Sequence, residues 1–436
     1  MRFYKRILSS FSRERAKVGR FFVCLPKPGL TAVMITSLYR FPMDLELKQI
    51  YDRLYAYCKS EDFAGYDPFD GLNGGLIRFT PLKYFATARL AWLQMIKRSP
   101  VDLHPALRIQ KGVNPKGLAL FALGELSRFR STEEPQHAEN ARELIERLLA
   151  IKIAGKTIDE QPTTAFGYNF DWQSRRFFAP MGTPAIVPTA FASQAFVEAY
   201  RVFEDEKYLT AAGEICDFVL GALNRSHETD DEVCFSYTPV DRSVIFNASL
   251  LAGESLARVG AITGNDEYLD MAAKTVRFVI RRQRDDGAWV YGTGQKQGWV
   301  DNFHTEYVLL SLFRISNDVS DLRKETYESI KTGAAYWLDN FFLDDGTPKY
   351  YDNAVYPVDV HSAAVAIAAL SELAPISGRM LPMAGKTAEW TMANMLATQG
   401  YFYYQKRKNA VVKTPFMRWG QAWMAYALAR LIESAA

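Results

Sequence analysis

The sequence predicts an all-α protein in which six helical hairpins close into an (α/α)6 toroid, with short β-like hairpin loops at one mouth and a basic N-terminal arm. Three observations carry this. One layout recurs along the chain: an acidic or Gly-rich turn, an aromatic stretch, a polar loop, then an apolar helix. Asn247, His304, His361 and Arg418 stand at four of the helix starts, 57 residues apart by subtraction. The last apolar helix, with Trp419, Trp423 and Tyr426, lacks the polar outer face that an open solenoid needs at its end, so closure on the first hairpins is expected.

Taken in order, residues 1–42 read as the arm. Arg2, Lys5, Arg6, Arg13, Arg15, Lys17, Arg20, Lys27 and Arg40 face a single acid, Glu14. Pro26 and Pro28 interrupt its apolar stretch, which makes it a poor membrane span or signal core. A solvated arm packed on the toroid is the default; contact with an anionic membrane surface is the alternative. Residues 43–436 form the toroid. Its apolar helices begin near Lys116, Pro188, Asn247, His304, His361 and Arg418 and are rich in Ala, Leu and Gly on most faces, which places them inside. Wetter helices, expected outside, run at roughly 83–98, 140–152, 206–222, 266–283, 325–341 and 382–397.

The chain of 436 residues has 48% apolar and 23% charged residues, as in an ordinary soluble protein, and aromatics are high at 14%. A formal charge of +3 and the lack of a binding signature argue against nucleic acid. Cys24, Cys58, Cys216 and Cys234 are scattered without metal or redox spacing, so reduced thiols in a cytoplasmic protein are expected. No cofactor and no metal site are expected, because the acids and histidines lack ligand order.

In a closed ring, loops entering the inner helices converge on one mouth, and equivalent repeat positions become neighbours. Two of the five histidines share a phase, His304 after Asp301 and His361 after Asp359. A histidine oriented by a carboxylate suits general base work, while the plainer reading makes both aspartates helix caps. Asp67 and Asp70, in a Gly-rich loop, suit a substrate lip or acid/base work, or simply turn formation. Tyr168, Asp171, Trp172 and Arg175 combine aromatic faces, a carboxylate and a guanidinium, as sugar recognition needs. Arg242 and Trp419 join this end, with Tyr237, Tyr291, Tyr351 and Tyr403 as candidate groove residues.

The strings GYDPFDGLNGG, YNFDWQSRRFFAPMGTPAIVPTAF, DDGAWVYGTGQKQGWVDNFHTEYVL, YYDNAVYPVDVHSAA and MRWGQAWMAYALARL resemble bacterial and archaeal proteins of surface-polysaccharide gene clusters. They look like the (α/α)6-toroid carbohydrate-active group of unsaturated glucuronyl hydrolases, polysaccharide lyases and the C-terminal domain of glucuronyl C5-epimerases. The resemblance implies an enzyme acting without cofactor on an acidic, uronate-type oligo- or polysaccharide, with a lipid-linked substrate and peripheral membrane contact as extensions. In a lyase or epimerase, Arg175, Arg242 or Arg418 would neutralise the uronate carboxylate, and His304, His361 or a tyrosine would remove the C5 proton. In a hydrolase, two of Asp67, Asp70, Asp171, Asp301 and Asp359 would be acid and base. A non-catalytic glycan-binding or scaffold protein is the second class. An isoprenoid cyclase is the third, on a single Gln283-x-x-x-Gly287-x-Trp289 match without the D-x-D-D motif.

Overall fold

A computed structural model describes the backbone of residues 30–174 and 177–435, with side chains from residue 45 onward. Within the compact unit Leu47–Ala436, six inner helices run Pro115–Thr132, Ile186–Phe203, Phe246–Thr263, Asn302–Asp318, Val360–Glu372 and Trp423–Ala435, the last entered through a π-helical turn, Met417–Ala422. Each packs on the next and the sixth packs on the first, so the ring closes. Their sequences explain this place: Ala119, Ala122, Ala252, Ala257 and the Ala363–Ala369 run are small enough for close helix approach and are buried.

Outer helices Pro135–Ala150, Glu206–Ala222, Asp266–Ile280, Ser320–Phe341 and Met380–Met395 follow the first five inner ones. They are amphipathic: in Asp266–Ile280, Tyr268, Met271, Ala272, Thr275, Val276 and Val279 are buried at helical spacing. The sixth outer position corrects the expected 83–98. It is taken by the Leu47–Ser60 part of helix Leu30–Ser60, which buries Leu47, Tyr51, Leu54 and Cys58. The repeat turn itself shows this. Gly346, at φ +85°, presses on the next outer helix, where a Cβ would lie 2.5 Å from the Lys386 backbone. Gly400, at φ +94°, makes the same approach to the Arg53 carbonyl at 3.1 Å. Both need a residue without Cβ.

The first 29 residues of the expected arm lie outside the described residues. Short antiparallel hairpins, such as Arg225–Glu228 with Val233–Phe235 and Gln405–Arg407 with Ala410–Val412, decorate the loops. No helix among the described residues is long and apolar enough to cross a membrane. Cys58, Cys216 and Cys234 are free and buried; Cys24 lies outside the described residues.

At the end remote from the mouth, the inner helices are tied by ion pairs that run full circle. Arg130 bonds Glu198 at 3.0 Å, Glu198 bonds Arg258, and Arg258 lies 3.9 Å from Glu254. Glu254 meets Arg314 at 3.3 Å, Arg314 meets Glu372 at 2.6 Å, and Glu372 meets Arg430 at 3.7 Å. Arg430 bonds Glu433, which returns to Arg130 at 2.7 Å. Charges alternate in sign around the floor, so no like pair is adjacent.

Candidate active site at the mouth of the toroid

The inner-helix starts open on a cavity of about 830 Å³, a size that suits a sugar unit or two. Lys116, Val187, Asn247, His304, His361 and Arg418, one from the start of each inner helix, line it. The expected ring of Asn247, His304, His361 and Arg418 therefore does meet at one cavity. Tyr168, Trp172, Tyr237, Tyr291, Tyr351 and Trp419 line it too.

The two histidines are held differently. Asp301 caps its helix by accepting from the His304 backbone N–H at 3.0 Å, and its other oxygen accepts from His304 Nδ1 at 2.7 Å and Trp299 Nε1 at 2.8 Å. This fixes the tautomer and makes Nε2 the basic nitrogen of a ring that lines the cavity. Asp301 itself is 3% exposed and stands behind the histidine.

Asp359, by contrast, is not the orienting acid of the His361 ring. It accepts from the His361 backbone N–H and from Trp419 Nε1, both at 2.9 Å. His361 Nδ1 donates instead to the Trp419 carbonyl at 3.0 Å, and the ring stacks on the Trp419 indole at 3.9 Å. Burial, then the charge of Lys116, push His361 well below the usual histidine range, so it is neutral. With Nδ1 protonated, Nε2 accepts from the Tyr307 hydroxyl at 3.1 Å, and Lys116 Nζ donates to that same hydroxyl at 3.0 Å. Burial, reinforced by Arg418, also holds Lys116 well below the lysine range. Phe191 faces its Nζ at 4.2 Å from the ring centre. Lys116, Tyr307 and His361 thus form one hydrogen-bonded chain at the cavity wall.

Arg418 grips Asp67 in a two-pronged pair, Nε to Oδ2 at 2.6 Å and a terminal nitrogen to Oδ1 at 2.8 Å, with both side chains buried. Asp70 accepts from the Asp67 backbone N–H at 2.9 Å and pairs with His104 Nε2 at 3.1 Å. Asp67 and Asp70 are therefore supports beneath Arg418 and do not line the cavity, which corrects their reading as a substrate lip or as acid and base. Asp171 accepts from the Met181 backbone N–H and also stays off the wall. Arg242 is exposed away from the cavity, and Arg175 lies outside the described residues. Tyr403 gives way to its neighbour Tyr404.

Asp359 is the one carboxylate among the described lining residues, against six basic side chains: Lys97, Arg98, Lys116, Lys296, Arg407 and Arg418. Most of these went unread in the sequence. Lys116 occupied the helix start of the first repeat, where it carried a usable signal, but the longer gap to the next copy took it out of the 57-residue register. Helix Ala86–Arg98, expected outside, packs at the mouth and supplies Lys97 and Arg98. Among the described residues, no group of three or more His, Cys, Asp and Glu side chains could hold a metal.

No family model and no curated protein matches the sequence. Among solved structures, a cellobiose 2-epimerase from Bacillus thermoamylovorans superposes with a TM-score of 0.56 at 10% identity, over 74% of this chain and 87% of that one. A polysaccharide lyase gives 0.58 at 10% identity, over 89% and 97%. An unsaturated glucuronyl hydrolase specific for heparin gives 0.51 at 16% identity, over 74% and 87%. These neighbours are (α/α)6 toroids, and this chain shares their fold.

Proposed function

We propose that the protein is a carbohydrate-active enzyme of surface-glycan metabolism that moves a proton at the carbon beside the carboxylate of a uronate-type unit, as a lyase or a C5-epimerase. The observation that carries this is the wall of the cavity: six basic side chains and two histidines, with a single carboxylate already engaged by its neighbours. Glycoside hydrolysis by paired carboxylates needs two of them across the scissile bond, roughly 5–10 Å apart. The described cavity offers no such pair, which counts against the hydrolase version. Cations would repel the carbocations of a cyclase, which counts against the isoprenoid reading.

In this reading, the substrate carboxylate lies against Lys116 and Lys97, since Arg418 already shares its charge with Asp67. Neutralising that carboxylate lets charge flow into it as the C5–H bond breaks, so the carbanion is held as its enolate form. His304 Nε2 takes the proton, and Asp301 stabilises the imidazolium that results. Tyr307, three residues on and so on the same helix face, presents its hydroxyl as the second proton-transfer group, its ring centre 6.3 Å from that of His304. Returning a proton to C5 from the other face, from the Tyr307 hydroxyl with Lys116 Nζ to replace it, inverts the centre. Expelling the C4 oxygen instead, with the Tyr307 hydroxyl protonating it as the bond breaks, gives the unsaturated uronate. The stacked pairs Tyr291–Trp299 and Tyr168–Phe170 offer apolar faces to sugar rings.

The test is product analysis on uronate-containing glycans in deuterated water. Ultraviolet absorbance reports elimination, and deuterium at C5 reports epimerisation. Cleavage without either would refute the reading. Glycan binding without turnover, surviving loss of both rim histidines, would assign the protein to the scaffold class instead.

A further inference from the structure

Between Asp70 and Asp102 the chain holds no acidic residue and five basic ones, Arg78, Lys83, Arg89, Lys97 and Arg98. The same short stretch carries seven of the seventeen large apolar side chains exposed among the described residues. Phe79 is 92% exposed, Tyr84 74%, Phe85 61% and Leu76 58%, with Leu82, Met95 and Val101 beside them in sequence. Exposed apolar groups at this density mark a binding surface.

These side chains are held outward by a folded segment. Leu72, Ile77 and Leu93 form a small core of their own, with Trp92 packed on it. Trp92 Nε1 donates to the Gly71 carbonyl at 3.0 Å, and Arg89 Nε donates to Gln173 at 2.7 Å. The inner side of helix Ala86–Arg98 lines the cavity through Leu90, Gln94 and Lys97. The segment is thus a lip: one side faces the cavity, and the other offers aromatic and aliphatic groups flanked by the exposed Arg78 and Lys83.

We infer that this lip docks the toroid on an anionic membrane surface, with its mouth at the bilayer. Aromatic and aliphatic tips enter the headgroup region, while arginine and lysine meet anionic headgroups. The absence of acids from the stretch is the complementary feature, because nothing in it repels those headgroups. A protein partner would normally meet a mixture of charges, and no carboxylate is offered here for one. Docked in this way, the cavity receives a saccharide still attached to a lipid carrier. The inference stands apart from the proton-transfer chemistry, since binding is read without substrate.

Sedimentation of the full chain with phosphatidylcholine vesicles, with and without phosphatidylglycerol, tests it. Expected is binding that needs phosphatidylglycerol and weakens at high salt. Phe79→Ser with Leu82→Ser should lower the partition coefficient about tenfold or more, as should Arg78→Gln with Lys83→Gln. All four side chains are exposed, and circular dichroism checks that the variants remain folded. Replacing the basic residues of the first 20 positions by glutamine should leave lip-dependent binding in place. No binding to anionic vesicles overturns the inference. So does binding that the lip substitutions leave unchanged, or binding abolished by neutralising the first 20 residues alone. Lip substitutions that dissociate a dimer in the absence of lipid would assign the surface to a second copy, and would overturn it as well.

Discussion

Replacing His104 with glutamine should remove a pH-dependent brace beneath the mouth. The imidazole is 2% exposed, with Nδ1 2.6 Å from Asp102 and Nε2 3.1 Å from Asp70. Burial opposes its charge, but the two carboxylates outweigh burial and raise it from 6.5 to about 9. A group raised on folding contributes stability that is fully present below its unfolded value, here about 6.5. That contribution is lost as pH rises through about 9. A rise of about 2.5 units corresponds to ~3 kcal/mol. Urea unfolding from about pH 6 to about pH 10 is the assay. The wild type should lose ~3 kcal/mol more than His104→Gln across this window, and the two curves should converge at the alkaline end. Parallel curves would refute the reasoning, as would a His104 titration by NMR near the ordinary histidine value.

Three further outcomes are expected. Asp301→Asn keeps a helix cap but no longer holds the His304 tautomer, and kcat should fall by about 10²–10⁴-fold with the unfolding midpoint little changed. Tyr307→Phe should lower kcat, and it strands the buried His361 Nε2, so it should also cost about 1–3 kcal/mol in denaturant unfolding. Arg314→Met leaves the buried Glu254 and the partly buried Glu372 beside a lost partner; it should destabilise by about 3–5 kcal/mol, and an unaltered unfolding curve would show that the floor ring carries no stability.

The ring of inner helices was legible because the hairpins repeat at nearly constant length. One period therefore located Asn247, His304, His361 and Arg418 around a common cavity. What escaped was set by partners distant in sequence. Asp67 reads as a turn former or a catalytic acid until Arg418, 351 residues away, closes on it. Asp359 and Asp301 look alike beside their histidines, yet partners remote in sequence decide the outcome. At His304 the carboxylate holds both the backbone N–H and the ring; at His361 it holds the backbone N–H, and the ring nitrogens are taken by the Trp419 carbonyl and the Tyr307 hydroxyl. The segment 83–98 has the length and pattern of an outer helix. The approach of Gly400 to Arg53 shows that position to be occupied by the helix that ends at Ser60.

That approach also fixes when the molecule can finish folding. The Arg53 guanidinium bonds the Thr398 carbonyl across 345 residues, and the first inner helix packs against the last. During synthesis, the helix ending at Ser60 can cover Tyr51 against the first hairpin, through Glu125 and His137, but its Arg53 must wait for Thr398, 345 residues later. Closure of so long a loop is slow compared with the local hairpins, which can form as they appear. The junction between first and last hairpins is therefore the seam of the molecule: the last part to be sewn, and the one through which a C-terminal truncation would open the cavity.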